Sequence, residues 1–264
     1  HSLTAVVTDA AGNAGPASAP VAITVDTQPP SLPADVVLSD DGAPLVSGDA
    51  TNNATPQMSG IAEPGSTVVV SDGDTVLGSV TVGDDGNWSY TTPTLADGDH
   101  SLSAVVTDAA GNSSASTTPI LVTVDTAPPA AATNLQISDD QSGTPVPVSG
   151  SVTSDPTPVL SGTAEAGGIV TLYDGATVLG SAAVNSDGSW SFTSPALSEG
   201  DHSLTATVTD AAGNVGPASD PLTITIDTTP PVAATDLLLS SESGAAIPAG
   251  GLTNSDTPVL SGSA

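Results

Sequence analysis

The sequence predicts an all-β chain built as a linear array of seven-stranded β-sandwiches of about 100 residues each. Three observations carry this reading. A long stretch recurs: His1-Ser-Leu-Thr-Ala-Val-Val-Thr-Asp-Ala-Ala-Gly-Asn13 returns at 100–112 and at 202–214, with spacings of 99 and 102 residues. The composition favours strands and turns, with 27 Gly, 23 Pro, a single Met and Glu only at 63, 165, 199 and 242. Apolar and polar residues alternate in short runs between turn dipeptides, the period-two signature of half-buried strands.

The period is too long for a solenoid, whose repeats run to about 20–50 residues. It suits a whole sandwich domain. A second marker follows each copy of the first: Asp26-Thr-Gln-Pro-Pro30, Asp125-Thr-Ala-Pro-Pro129 and Asp227-Thr-Thr-Pro-Pro231. Two successive prolines cannot join a ladder and they stiffen a link, so they mark the domain boundaries. A third marker is Thr55-Pro-Gln-Met-Ser-Gly-Ile-Ala-Glu63, matched at 157–165 and at 257–264. The predicted units are whole repeats at 29–127 and 128–229. Residues 1–28 are read as strands F and G of one repeat, and 230–264 as strands A and B of another. Alone, neither end piece has enough strands to bury a core.

In the second whole repeat the expected strands are Ala132–Ser138 (A), Pro158–Ala164 (B), Gly168–Tyr173 (C), Thr177–Val184 (C′), Ser189–Thr193 (E), His202–Thr209 (F) and Leu222–Asp227 (G). Asp174-Gly175 and Asp187-Gly188 read as turns between the middle strands. Trp190 and Phe192, like Trp88 and Tyr90, alternate with polar residues and are expected to supply the aromatic packing of each core.

Charge narrows the partners. The chain has no Lys or Arg, 29 Asp plus Glu, and a formal net charge of -29. Nucleic acids and anionic membranes are excluded as partners, because phosphate binding needs Lys or Arg. No apolar run of about 18 residues is present, so no direct membrane insertion by a helix is expected. Cysteine is absent, which removes disulfides and thiol chemistry and leaves the compartment open. The chain starts at His1, within a repeat and without Met, and is expected to come from a longer protein.

The runs GTAEAGGIVTLYDGATVLG (162–180), DGSWSF (187–192) and DTTPP (227–231), with the His-Ser-Leu-Thr copies, resemble the bacterial immunoglobulin-like repeats of giant surface adhesins exported by type I secretion. The resemblance covers essentially the whole chain. It implies an extracellular extender region at the bacterial cell surface, with neighbouring repeats as partners. It also implies that other domains bind the adhesion ligand in biofilm formation or host attachment. In related repeats Ca²⁺ at the junctions stiffens the rod. The Gly-Gly-x-Gly-x-Asp calcium nonapeptide is absent.

The strand order itself suggests where Ca²⁺ would sit. The turn between B and C carries Glu63 or Glu165. The loop between F and G carries Asp108 with Asn112, or Asp210 with Asn214. The preceding strand G ends at Asp26 or Asp125. All three are expected at one pole, which puts three acidic side chains at each junction. Ca²⁺ takes six to eight oxygen ligands. Two of the four Glu residues occupy this one repeat position, in a chain where Asp is the dominant acid. Two complete sites are expected: Asp26, Glu63, Asp108 and Asn112, and Asp125, Glu165, Asp210 and Asn214. The alternative is that each Asp and Asn merely builds its own turn. Asp85 and Asp187 lie on the same pole as further candidates, whereas Asp40, Asp41, Asp72, Asp74, Asp97 and Asp99 read as turn residues of the opposite pole.

An enzyme is not expected. His1, His100 and His202 occupy one repeat position at the start of strand F, where the residue reads as a cap, and no zinc spacing or phosphate loop is present. Two further readings stand beside the extender. One is a repeated module that binds carbohydrate, ice or a host protein. The other is an acidic surface-layer segment with no specific metal.

Overall fold

The computed structural model describes residues 1–139, 146–147, 152–241, 243–254 and 256–263, and these contain strands but no helix. A short pair, β1 (Ser2–Leu3) and β2 (Val21–Ala22), comes first. The first complete sandwich follows with β3 (Ala34–Asp40), β4 (Ala43–Leu45), β5 (Asp49–Thr51), β6 (Gln57–Ile61), β7 (Thr67–Asp72), β8 (Thr75–Thr81), β9 (Asn87–Thr91), β10 (Gly98–Thr107) and β11 (Ile120–Val124). The second repeats it with β12 (Thr133–Asp139), β13 (Val146–Pro147), β14 (Val152–Thr153), β15 (Val159–Thr163), β16 (Ile169–Asp174), β17 (Thr177–Ala183), β18 (Ser189–Thr193), β19 (Gly200–Thr209) and β20 (Leu222–Ile226). Last come β21 (Thr235–Ser240), β22 (Ala246–Ile247) and β23 (Val259–Ser263).

Both sandwiches have one topology. The sheets of the first run β4-β3-β6-β9 and β5-β11-β10-β7-β8; those of the second run β13-β12-β15-β18 and β14-β20-β19-β16-β17. The seven expected strands are all present, within one or two residues of the sequence reading. What the sequence did not disclose is the sheet switch. After β3 or β12 the chain crosses over, and β5 or β14 pairs in parallel with the last strand of the repeat. These segments are two or three residues long, too short to show alternation.

The first strand of each repeat carries a bulge, between Ala34 and Val37, Thr133 and Gln136, and Thr235 and Leu238. Its centre is left-handed: Asp35, Asn134 and Asp236 have φ of 50°, 54° and 53°. Short Asx side chains tolerate this region best among residues with a Cβ, which explains the Asp/Asn choice in all three copies.

The two cores match position for position. Leu38, Met58, Val70, Trp88, Leu102 and Val106 in the first correspond to Ile137, Leu160, Leu172, Trp190, Leu204 and Val208 in the second, and all are buried. Tyr90 and Phe192 pack at the margin, where the Tyr90 hydroxyl donates to the Leu77 carbonyl at 2.9 Å. In the end pieces the same positions face solvent: Leu3 is 56% and Val7 80% exposed, where Leu204 and Val208 are 0%. No described residue of 1–28 or 230–264 is buried.

Beyond Leu102 and Leu204 the last strand leaves the ladder, and hydroxyls take over its acceptor role. The Ala104 N–H donates to Thr117 Oγ1 and the Ala206 N–H to Ser219 Oγ, both at 3.0 Å. Ser219→Ala strands a buried N–H, and denaturant melts are expected to show repeat 128–229 less stable by about 1–3 kcal/mol. Ser219→Thr, which copies Thr117, is expected to stay near wild type.

Candidate interdomain junction

The expected convergence at the amino-terminal pole is partly realised. The turn holding Glu63 lies against the loop before β9, with the Ala62 N–H donating to the Gly86 carbonyl at 2.9 Å. In that loop Asp85 forms its own turn, accepting the Asn87 N–H at 3.0 Å and its side-chain amide at 2.7 Å. The turn after β10 is also self-contained. Asp108 Oδ1 accepts the N–H groups of Ala110 and Asn112 at 2.9 and 2.8 Å, and Oδ2 accepts the Asn112 amide at 2.8 Å. The Asn112 side-chain amide, joined by these N–H groups, holds the Asp108 carboxyl below the usual carboxylate range against a smaller opposing effect of burial. Asp9–Asn13 and Asp210–Asn214 repeat the geometry.

The asparagine also does something no isolated turn requires. Its amide donates a second bond across the junction, from Asn112 to the Asp26 carbonyl at 3.2 Å and from Asn214 to the Asp125 carbonyl at 2.8 Å. In the second junction the Asn52 N–H adds a bond to the Ala212 carbonyl at 3.0 Å. Asn52 follows β5, so the sheet switch positions the contact. Asn52 was missed in the sequence, where nothing separates it from an ordinary turn residue.

The acidic side chains do not close into one ligand set. Asp26 and Asp125 direct Oδ1 to the N–H two residues on, at 3.0 Å each. Glu63 and Glu165 are exposed. Among the described residues no group of three or more acidic or histidine side chains is arranged to hold a metal ion. At each junction a carboxylate oxygen and a backbone carbonyl do converge, on the asparagine amide that bridges them.

The opposite pole holds more structure than turns. Asp97 Oδ1 accepts both the N–H and the hydroxyl of Thr126, at 3.1 and 2.9 Å, and so grips the linker just beyond Asp125. Glu199 grips Thr228 in the same way. The histidines are not caps. His100 Nδ1 lies 2.7 Å from Asp72 Oδ2, and Nε2 lies 2.8 Å from the Ala96 carbonyl. His202 makes the same pair of contacts with Asp174 and the Ser198 carbonyl, at 2.7 and 2.9 Å. The signal was present in the sequence, since an Asp ends the C strand of both repeats that hold this contact.

A family model described as a bacterial Ig-like domain matches residues 29–126 and again 130–228. The chain belongs to this family. The matches coincide with the two complete sandwiches, and the two bacterial Ig-like domains stand in tandem. Among solved structures, the fibronectin(III)-like modules of Clostridium thermocellum CbhA are 17% identical with a TM-score of 0.45, covering 72% of this chain and 94% of that one. A biofilm-associated protein, BSP domain, is 22% identical with a TM-score of 0.27, over 74% of this chain and 30% of that one. The C-terminal domain of the Streptococcus pyogenes antigen I/II-family protein AspA is 8% identical with a TM-score of 0.30, over 75% and 99%. A search of curated proteins returned no match.

Proposed function

We propose that this tandem of bacterial Ig-like domains is a structural extender of a giant surface adhesin of the type I-secreted class, and that Ca²⁺ at its junctions makes it rigid. One observation carries the reading: the Asn214 amide ties the Asp125 carbonyl of the preceding domain to the Asp210 carboxylate of the next. The junction is thus a specific polar contact between domains rather than a free tether. Neighbouring repeats are the direct partners, and the adhesion ligand falls to other domains.

The donors at this point are all oxygen apart from the amide nitrogen, as a hard cation requires. Asp210 and the Asp125 carbonyl, which the Asn214 amide nitrogen now bridges, would hold the ion with that amide turned to present its oxygen, and Glu165 and the Asp125 carboxylate are the further acids of the expected set. Bound Ca²⁺ supplies positive charge in a chain with no Lys or Arg. The protein's own part is to hold the two domains in register, through Asn52 and Asn214. Each repeat would add roughly 40 Å of length, from strands of about eight to ten residues at about 3.4 Å each plus loops.

Calorimetric titration and X-ray scattering with Ca²⁺ and with chelator test this. Ca²⁺ is expected to bind and to lengthen and narrow the distance distribution, and Asp210→Asn to weaken binding at least tenfold. Absence of binding, with scattering unchanged by chelator, would leave an extender held by hydrogen bonds alone and would remove calcium from the account.

A further inference from the structure

We propose that His100 and His202 are pH-controlled clasps on the interdomain linkers: as imidazolium each fixes the loop that grips the linker, and on losing its proton each lets that loop go. The argument starts from what the ring faces. Both acceptors of His100, the Asp72 carboxylate at 2.7 Å and the Ala96 carbonyl at 2.8 Å, carry no hydrogen. Each ring nitrogen must therefore donate, and only the doubly protonated ring does so. His202 stands between Asp174 and the Ser198 carbonyl in the same way. The side chains are 12% and 7% exposed, and the bonds to Asp72, Asp174 and Ser198 are part-buried, whereas that to Ala96 lies at the surface.

A neutral ring keeps one donor. Retaining the bond to Asp72 turns the bare Nε2 lone pair on the Ala96 carbonyl, which repels it. The loop loses its hold at Ala96, while the Leu95 N–H keeps its bond to the Ala54 carbonyl at 2.8 Å, and the residue after Ala96, Asp97, is the one that grips Thr126. Thr126 in turn follows Asp125, whose carbonyl receives Asn214 of the next domain. A continuous series of bonds thus runs from the imidazole to the junction. The second repeat preserves the series as far as the linker, through His202, Ser198, Glu199 and Thr228, with Glu replacing Asp in the same role.

The charged groups acting on His100 are Asp72 from β7 and Asp99 on its own strand, and those acting on His202 are Asp174 and Asp201; Asp97 and Glu199 follow the loop carbonyls and are bonded to Thr126 and Thr228. Burial works against the charged ring, but the carboxylate and carbonyl bonds outweigh it and raise both histidines above the ordinary 6.5. A raised folded value means the clasp is fully made below about pH 6.5 and is lost as pH rises through the higher folded value. For Asp72, burial pushes up, while the His100 and Ser101 bonds prevail and hold the carboxyl below 3.8, so this side of the clasp fails only in strong acid.

The chain suits a direct test. It has no Cys, so Ser79→Cys and Ser181→Cys accept one spin label on each complete domain. It has no Lys or Cys, so between about pH 5.5 and about pH 9 His is the side chain that changes charge. Distances are measured on the full chain in chelator, which separates this proposal from the calcium reading. The expected result is a narrow distribution at about pH 5.5 that broadens by about pH 9. With His100→Gln the distribution should not depend on pH. With Asp97→Ala it should be broad at both values, while His100 titrates as before by NMR. A wild-type distribution equal at both pH values would overturn the proposal. So would a pH response that survives His100→Gln, or an Asp97→Ala chain that behaves as wild type.

Discussion

Trp190→Ala is expected to unfold repeat 128–229 while leaving 29–127 intact. Trp190 is 2% exposed and sits in a core cluster that shares no residue with that of the first repeat. Truncating a buried Trp costs about 3–5 kcal/mol, a large part of the total for a domain of this size. Differential scanning calorimetry should show one transition displaced downward and the other unmoved. Both transitions moving together would mean that the junction couples the two domains more strongly than its few hydrogen bonds suggest. Trp190→Phe should cost much less, because the indole N–H is buried without a hydrogen-bond partner, as is that of Trp88. Phe gives up some packing area, but it also removes a desolvated donor.

Gly162→Ala is expected to destabilise the same repeat by about 1–3 kcal/mol, through overpacking rather than a cavity. A Cβ at Gly162 would stand 2.9 Å from the Thr133 carbonyl oxygen and 2.9 Å from the Trp190 ring. Neither neighbour can yield readily, since one is backbone at the bulge of β12 and the other is the centre of the core. Gly60→Ala should behave alike in the first repeat, meeting the Ala34 carbonyl at 2.8 Å and Trp88 at 3.2 Å. An alanine at Gly162 that leaves the melting temperature unchanged would show that the ring has room to shift. Together these variants identify the Gly–Trp stack as the feature that seats the aromatic anchor.

The sequence by itself determined the array of repeats and the seven main strands of each sandwich. Copies of a whole domain stand in register in one chain, so each checks the reading of the others. Trp88 and Trp190, or Leu102 and Leu204, alternate with polar neighbours in both copies, and period two on a half-buried sheet has one physical meaning. It also brought the turn after the F strand to the end of the preceding G strand, because strand order fixes which loops share a pole. The grip of Asn214 on the Asp125 carbonyl was beyond its reach, since a backbone acceptor leaves no mark in the residue string. Asn52 owes its role to a two-to-three-residue parallel crossing too short to carry a pattern.

Tertiary structure also decided the acids. Composition places negative charge at the junction, but whether carboxylates converge depends on side-chain direction. Asp26, Asp108 and Asp125 accept the N–H groups of residues two to four positions on, while Glu63 and Glu165 are exposed. The histidines show the same division. Sequence put His100 and His202 at equivalent strand positions. Only folding brought each ring between a carboxylate about 28 residues upstream and a loop carbonyl, and so gave its proton a structural task.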